Sequence, residues 1–394
     1  MNYFLDHAST TPLSDPMKAY LMSLLDLYGN PSSLHSIGTS AKQLLSEARR
    51  SVADFIHANS RDITFTPSGS AGNTLAIKGL TSDDPQVNQF AVFYSPTAHK
   101  SMQNACESCL CHTPLRVNAV GEIDVCYLDD LLTRHNGLKP VVCIEAANSE
   151  IGTIQDVCGI GSIVHRHHGI FVVDATGYLP SYPVDMRIWK HAVDILTFSG
   201  HKLHALKGVG VLWKRSDLTL KPLIYGTQEH GLIGGTENML GIASLGKAAA
   251  DYDYSSITSL NRDYVYDYVR KHIPGCYAVG ASIESGNRLP HNLFLCFKGV
   301  DGESLMILLD MNGIQVSTGS ACNSKNLSAS AALTAIGMNE DDIHSCIRLT
   351  FSGRESQKEL DYVCKTIKQC VLSLRELSAK SDENKRKEPH YGIF

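Results

Sequence analysis

From residue 63 to residue 213, short apolar runs alternate with segments of helical spacing, and this constrains the fold more than any other feature of the chain. The runs cover 63–66, 90–94, 115–117, 141–146, 170–174, 195–198 and 209–213. Short apolar runs bounded by turn formers read as buried strands. The segments between several of them, at 100–110, 125–133 and 160–167, carry apolar residues at helical spacing. Strands alternating with helices imply an α/β fold whose mostly parallel sheet is covered on both faces. Sites in such sheets form at the carboxyl ends of the strands.

The flanking regions give a domain plan. A short strand at the amino terminus leads to a helix over 15–27 and a loop over 29–38. Ser40 is positioned to cap the next helix, whose apolar positions include Leu44, Leu45, Ala48, Val52 and Phe55. Helices are expected over 239–252 and 257–272, then strands near 277–279, 293–297, 314–316 and 347–351, and a last helix over 357–377. The plan is a large domain over 14–256 and a smaller α+β domain from 1–13 and 257–378. The charged tail, 379–394, has almost no core-forming residues until its end and is expected to be mobile.

Composition narrows the function. Basic residues number 35 against 40 acidic ones, a net of −5, with no basic stripe for nucleic acid or an anionic membrane. No apolar run reaches membrane-spanning length, and the first residues lack the pattern of a secretory signal, so cytoplasm is the expected location. The 12 cysteines are scattered through apolar segments, as free thiols in a reducing compartment would be. Cys106, Cys109, Cys111 and His112 cluster without a second ligand pair, and His165, His167 and His168 end a helix. Neither group is expected to hold a metal.

Four features carry chemistry. Lys202 leaves the 195–198 strand beside Ser199 and His201, as a Schiff-base lysine would. Asp174 ends the 170–174 strand, where a carboxylate can hold a protonated pyridine nitrogen. The turn from Pro67 to Gly72, rich in glycine and serine, leads from strand to helix and offers amides to a phosphate. Cys322 lies in the small, polar stretch 317–324, where solvent can reach it.

These residues sit in the motifs LDHASTTP, GNPSSLHSIG, LAIKG, FVVDAT, FSGHK and VSTGSAC. From about residue 3 to residue 377 the chain resembles the NifS/IscS-like cysteine desulfurases of the class V aminotransferase group. The resemblance implies a fold-type I transferase dependent on pyridoxal 5'-phosphate. Lys202 would carry the cofactor and move the substrate Cα proton, and Asp174 would hold the ring nitrogen. His99 would stack on the ring; Gly69, Ser70, Ser149, Ser199 and His201 would complete the cofactor site. Thr236 would reach the phosphate of a neighbouring subunit, which implies a homodimer. Arg348 would clamp the substrate carboxylate, and Cys322 would take the sulfur of L-cysteine as a persulfide, releasing L-alanine. An acceptor would follow, such as an iron–sulfur scaffold protein or a tRNA-thiolation relay. The chain departs from the family pattern where Ser70 replaces a threonine, Ser149 an asparagine and Gly177 a glutamine that bonds the ring's phenolic oxygen. The alternatives are a selenocysteine lyase, another class V enzyme, or a degenerate sulfur-transfer scaffold.

Overall fold

The computed structural model describes residues 2–135, 137–318 and 330–387, with side chains as far as 379. The chain divides into two compact units. One comprises Ala8–Ser149 and Thr153–Ser255; the other comprises Met1–His7, Glu150–Gly152 and the chain from Ser256 onward.

The chain starts in the smaller unit with β1 (Tyr3–Phe4) and enters the larger one through α1 (Asp15–Ser23) and α2 (Ser36–Phe55). Then come β2 (Ile63–Thr66), α3 (Gly69–Lys78), β3 (Phe90–Tyr94), α4 (Lys100–Glu107), β4 (His112–Pro114), α5 (Val125–Arg134) and β5 (Lys139–Glu145). The unit continues with α6 (Val157–Arg166), β6 (Ile170–Asp174), α7 (Met186–Trp189), β7 (Ile195–Ser199), β8 (Gly210–Lys214) and α8 (Met239–Asp251). Its strands make one sheet in the order β2-β8-β7-β6-β5-β3-β4. The five from β7 to β4 are parallel, while β8 runs against both neighbours.

Successive strand residues point to opposite faces, and both faces are covered. Phe93, Val142, Ile144, Phe171, Val173 and Leu196 pack with Ala48, Val52, Ile242 and Leu245 of α2 and α8. Val92, Val141, Cys143, Val172 and Ile195 face the other way, toward Leu75, Ala76 and Met102 of α3 and α4. This two-sided burial is why the central strands read as continuous apolar runs rather than alternating ones.

In the smaller unit, α9 (Leu260–His272), β9 (Cys276–Ala278), β10 (Asn292–Phe297), α10 (Gly302–Met311), β11 (Ile314–Gln315) and β12 (Ser317–Thr318) come first. They are followed by α11 (Ala331–Ala335), α12 (Glu340–Ile343), β13 (Cys346–Thr350) and α13 (Gln357–Lys387). An antiparallel sheet of order β12-β13-β10-β9 packs Leu293, Leu295, Ile347 and Leu349 against Val265, Leu305, Val363 and Ile367 of the helices. β1 pairs in parallel with β11.

Several expectations need correction. Residues 8–13 belong with the larger unit. The reason is local: Thr11 donates to the His201 carbonyl through N–H at 3.1 Å and through its hydroxyl at 2.8 Å. α2 starts four residues before Ser40 and is capped by His35, whose Nδ1 accepts from Gly38 N at 3.2 Å. β4 lies at 112–114 rather than 115–117, because β3 pairs Val92 with His112. α13 runs on through residues 379–387. They are rich in Ala, Lys, Glu and Arg, strong helix formers that need no apolar stripe to extend an anchored helix.

Candidate functional site

Parallel pairing in register brings the carboxyl ends of the central strands level: Glu145 lies opposite Asp174, and Asp174 opposite Thr197. β2 ends on the same edge, since Thr66 and Ser199 both pair with Gly210. The turns leaving β2, β3, β5, β6 and β7 carry Gly69–Ser70, His99, Ser149, Gly177 and Ser199–Lys202 respectively.

Asp174 is buried at the end of β6. Its Oδ2 accepts from Asn73 Nδ2 at 2.8 Å and its Oδ1 from Thr176 N at 2.8 Å. Both donors are neutral, and no ion pair among the described residues includes Asp174. A buried carboxylate without a cation is costly, so this one is suited to receive a positively charged N–H.

Asn73 extends the network. Its Oδ1 accepts from Thr197 Oγ1 at 2.5 Å, and its Nδ2 also reaches Ser101 Oγ at 3.1 Å. Ser101 Oγ lies 2.8 Å from His99 Nδ1, which also accepts from Ser101 N at 3.2 Å. A nitrogen that accepts an N–H carries no proton, so the neutral ring holds its proton on Nε2. One hydrogen-bonded chain therefore links Asp174 to His99. Neither Asn73 nor Ser101 was singled out from the sequence; the available signal was a buried-side asparagine on an otherwise apolar helix face.

His99 caps α4. Its ring is reached by solvent although protein atoms surround it, as in a side chain lining a recess. Burial lowers its pKa below the ordinary 6.5; Asp174 opposes this, while Lys202 and Lys100 reinforce it. His99 is thus neutral at pH 7. If it lies in the reacting site, the acid limb of its kcat/KM profile falls below pH 6.5 and disappears in His99→Gln, which pH–rate measurements on both proteins would test.

Lys202 ends a short turn, Gly200–Lys202, pinned by Gly200 N to Val209 O at 3.0 Å and by Leu203 N to Gly200 O at 2.9 Å. It is half-buried, and its charge acts on both His99 and His201. His201 is held by Thr10, whose Oγ1 is 3.1 Å from Nδ1, and its pKa is lowered by burial, then by Lys202 and Lys207.

The turn from β2 into α3 makes an anion cradle. Ser68 caps α3, its Oγ accepting from Ala71 N at 3.1 Å, so the Gly69 and Ser70 amides stand at the helix's positive end. Space at Gly69 is tight: a Cβ would come within 3.2 Å of Ser199 Cβ and 3.3 Å of Thr176 Oγ1, so those neighbours would have to shift by a few tenths of an ångström. Ser70 is exposed, Ser199 is buried, and Thr176 Oγ1 is buried without a hydrogen-bond partner among the described residues. Serines, a histidine and helix-end amides of this kind can hold a phosphate.

Thr236 is exposed at the end of a glycine-rich loop that begins at Glu229. Glu229 anchors that loop on Arg49 through two bonds of 2.5 and 2.8 Å, and also accepts from Phe65 N at 2.7 Å.

Gly177, where a glutamine was expected, has a packing reason. A Cβ at this position would lie 2.5 Å from the Ala147 carbonyl oxygen and 3.5 Å from Ser149 Cβ. Any side chain pushes on the backbone that carries Ser149. Gly177→Gln is therefore expected to lower stability by the roughly 1–3 kcal/mol typical of overpacking, and the thermal midpoint with it, and not to raise activity. Calorimetry and an activity assay on one preparation check both.

In the smaller unit Arg348 lies on β13, buried, with Nη2 2.7 Å from Asp6 Oδ1. Asp6 is a third residue the sequence did not single out for a role. Cys322 lies outside the described residues. Cys106 and Cys109 are buried, and burial raises the Cys109 pKa; for Cys106 the Cys143 contact and burial do so. Cys111 is exposed. No helix among the described residues is long and apolar enough to cross a membrane.

The class-V aminotransferase family model matches residues 3–363. The chain is similar to the cysteine desulfurase IscS of Dictyoglomus turgidum, at 34% identity over 96% of this chain and 97% of that protein. It is 33% identical to a cysteine desulfurase of a Nostoc species over 96% of each. The X-ray structure of a NifS-like protein from Rickettsia africae superposes with a TM-score of 0.84 at 29% identity, covering 94% of this chain and 99% of that one.

Proposed function

The chain belongs to the class-V aminotransferase family and, within it, to the NifS/IscS-like cysteine desulfurases, and on that premise we propose that it removes the sulfur of L-cysteine and leaves L-alanine. The observation that carries this reading is the hydrogen-bonded chain from Asp174 through Asn73 and Ser101 to His99, beside the Lys202 turn.

The residues present fit pyridoxal 5'-phosphate. Asp174, buried with only neutral donors, suits the protonated ring nitrogen. His99 suits the ring face; Ser149 lies on the turn after β5, where the family's ring contact falls. The Gly69 and Ser70 amides with Ser199 and His201 suit the phosphate. When bound, the cofactor supplies an electron sink for the carbon that loses its proton. Asp174 would accept the N–H of the ring nitrogen. The Lys202 amine would hold the cofactor and, when free, would accept the Cα proton at Nζ. His99, neutral at pH 7, would face the ring and could exchange a proton at Nε2. Asp6 holds the Arg348 guanidinium, a fork whose geometry suits a substrate carboxylate. Cys322 takes the sulfur.

A homodimer is part of the proposal, with Thr236 contributing to the partner's phosphate site. Large apolar side chains support it: Met22, Leu25, Tyr28, Leu34 and Tyr225 of the larger unit are 57–100% exposed, surface that a second subunit would cover. The sulfur acceptor is proposed to be a protein, such as an iron–sulfur scaffold or a thiolation relay. Supplying L-cysteine to the purified, cofactor-loaded protein should release alanine and sulfide in equal amounts under reductant; alanine without sulfide would overturn the reading.

A further inference from the structure

Glu145 is the buried end of β5, and its carboxyl group has no counterpart among the cofactor-site residues named above. Its Oε1 accepts from Thr97 Oγ1 at 2.6 Å and from Asn148 Nδ2 at 3.3 Å. Asn148 Nδ2 also donates to the Thr97 carbonyl at 2.7 Å, and Ser95 Oγ lies 2.8 Å from Thr97 Oγ1. Behind them, Gln103 Nε2 donates to the carbonyls of Pro96 and Ala98 at 2.7 and 2.8 Å. The carboxyl thus stands where two turns meet: 95–99, which ends in His99, and 146–149, which ends in Ser149. Its second oxygen, Oε2, is buried without a hydrogen-bond partner among the described residues.

That combination is unlike a group present only to fill space. A methionine would occupy the volume without burying a carboxyl, and burial disfavours ionisation of this one. The benefit offsetting that cost is directional: one oxygen joins two turns that no strand pairing joins to each other beyond β3 and β5. We propose that Glu145 is a positioning residue, whose carboxyl group ties the turn presenting His99 to the turn presenting Ser149. The inference rests on the reading that those two residues border the bound cofactor.

The test compares Glu145→Met, which keeps the volume, with Glu145→Gln, which keeps the accepting oxygen. Amide hydrogen exchange is followed on the cofactor-free proteins, and affinity for added pyridoxal phosphate is measured from its visible band. In Glu145→Met, exchange at 97–99 and 147–149 is expected to rise about tenfold while 141–144 keeps its protection. The dissociation constant for the cofactor rises by a factor of about ten, the loss of one or two buried hydrogen bonds. Glu145→Gln restores both. Unchanged exchange at both turns and unchanged affinity in Glu145→Met overturn the proposal. So does a uniform rise across the sheet, which means lost stability alone. Should Glu145→Met fail to fold, Thr97→Val removes one arm of the tie and is judged by the same two readouts. If the wild type itself takes up no cofactor, the functional reading fails, and the exchange comparison still decides the role of Glu145.

Discussion

Lys202→Ala is expected to abolish turnover, with alanine release from L-cysteine falling by at least about 10⁴-fold. The size follows from two roles at one amine: holding the cofactor covalently and moving the Cα proton. Proton transfer by a positioned group is worth roughly 10²–10⁴ by itself, and loss of the covalent hold adds to it. The local structure allows the substitution without unfolding. Lys202 is half-buried at the end of a turn whose main chain is pinned by bonds from Gly200 and Leu203, neither of which uses its side chain. A melting curve within a few degrees of wild type is therefore expected. The visible band of the loaded wild type should be replaced, in the variant, by that of the loosely bound aldehyde. A loop lysine of no special role would leave both rate and spectrum within about twofold. That outcome would remove the central residue of the proposal while leaving the fold and family membership intact.

The strands were legible where both sheet faces are buried. β3 and β6 occupy 90–94 and 170–174, the same residues as the apolar runs. Covered on two sides, they are core up to the carboxylate that ends β6, and a run's end is then the strand's end. β4 was misplaced by three residues because it is an edge strand, where Val92 opposite His112 decides the register rather than an apolar run. The cap of α2 was missed because His35 does the work of a serine through a ring nitrogen.

The site divides in the same way. Lys202, Asp174 and the Ser70 turn could be found because they stand at strand ends, which sequence order reveals; His99 was reached only through the family resemblance. Asn73, Ser101 and Glu145 could not be found. Their partners are 28 to 124 residues away for Asn73, and 48 residues away for the Glu145–Thr97 bond. Helical or strand periodicity reports which face a residue is on, not which distant polar atom it meets. Gly177 shows the converse. Its departure from the family pattern was visible in the sequence, but the reason, the Ala147 carbonyl 2.5 Å from where a Cβ would stand, needs the fold.

Cys322→Ala is expected to leave cofactor uptake and cysteine binding intact and to cut sulfide and alanine release by at least about 10³-fold. In the proposed reaction the Cys322 thiolate attacks the substrate Sγ. The new S–S bond forms as the substrate Sγ–Cβ bond breaks, and the bonding pair stays with Cβ. That carbon takes a proton and becomes the methyl group of alanine, while the sulfur remains as a persulfide on Cys322. No external oxidant is needed: carbon is reduced as sulfur is oxidised. Remove the thiol and the Sγ–Cβ bond must break by expelling sulfide itself, a far slower step from a bound thiol. The other cysteines do not replace it in this role. Most of those described are buried, and burial raises the pKa of Cys158, one of the few exposed ones, further limiting its thiolate. The variant also separates the alternatives. An aminotransferase needs no thiol nucleophile, so with an amino-group acceptor its activity would survive Cys322→Ala within a few-fold. A selenocysteine lyase expels a selenol-derived product, a better leaving group than sulfide, and would keep its activity on selenocysteine while showing none on cysteine. Wild-type rates on both substrates, set beside those of Cys322→Ala, therefore assign the chemistry: loss on cysteine with binding retained is the desulfurase result, and cysteine turnover that survives without the thiol would exclude it.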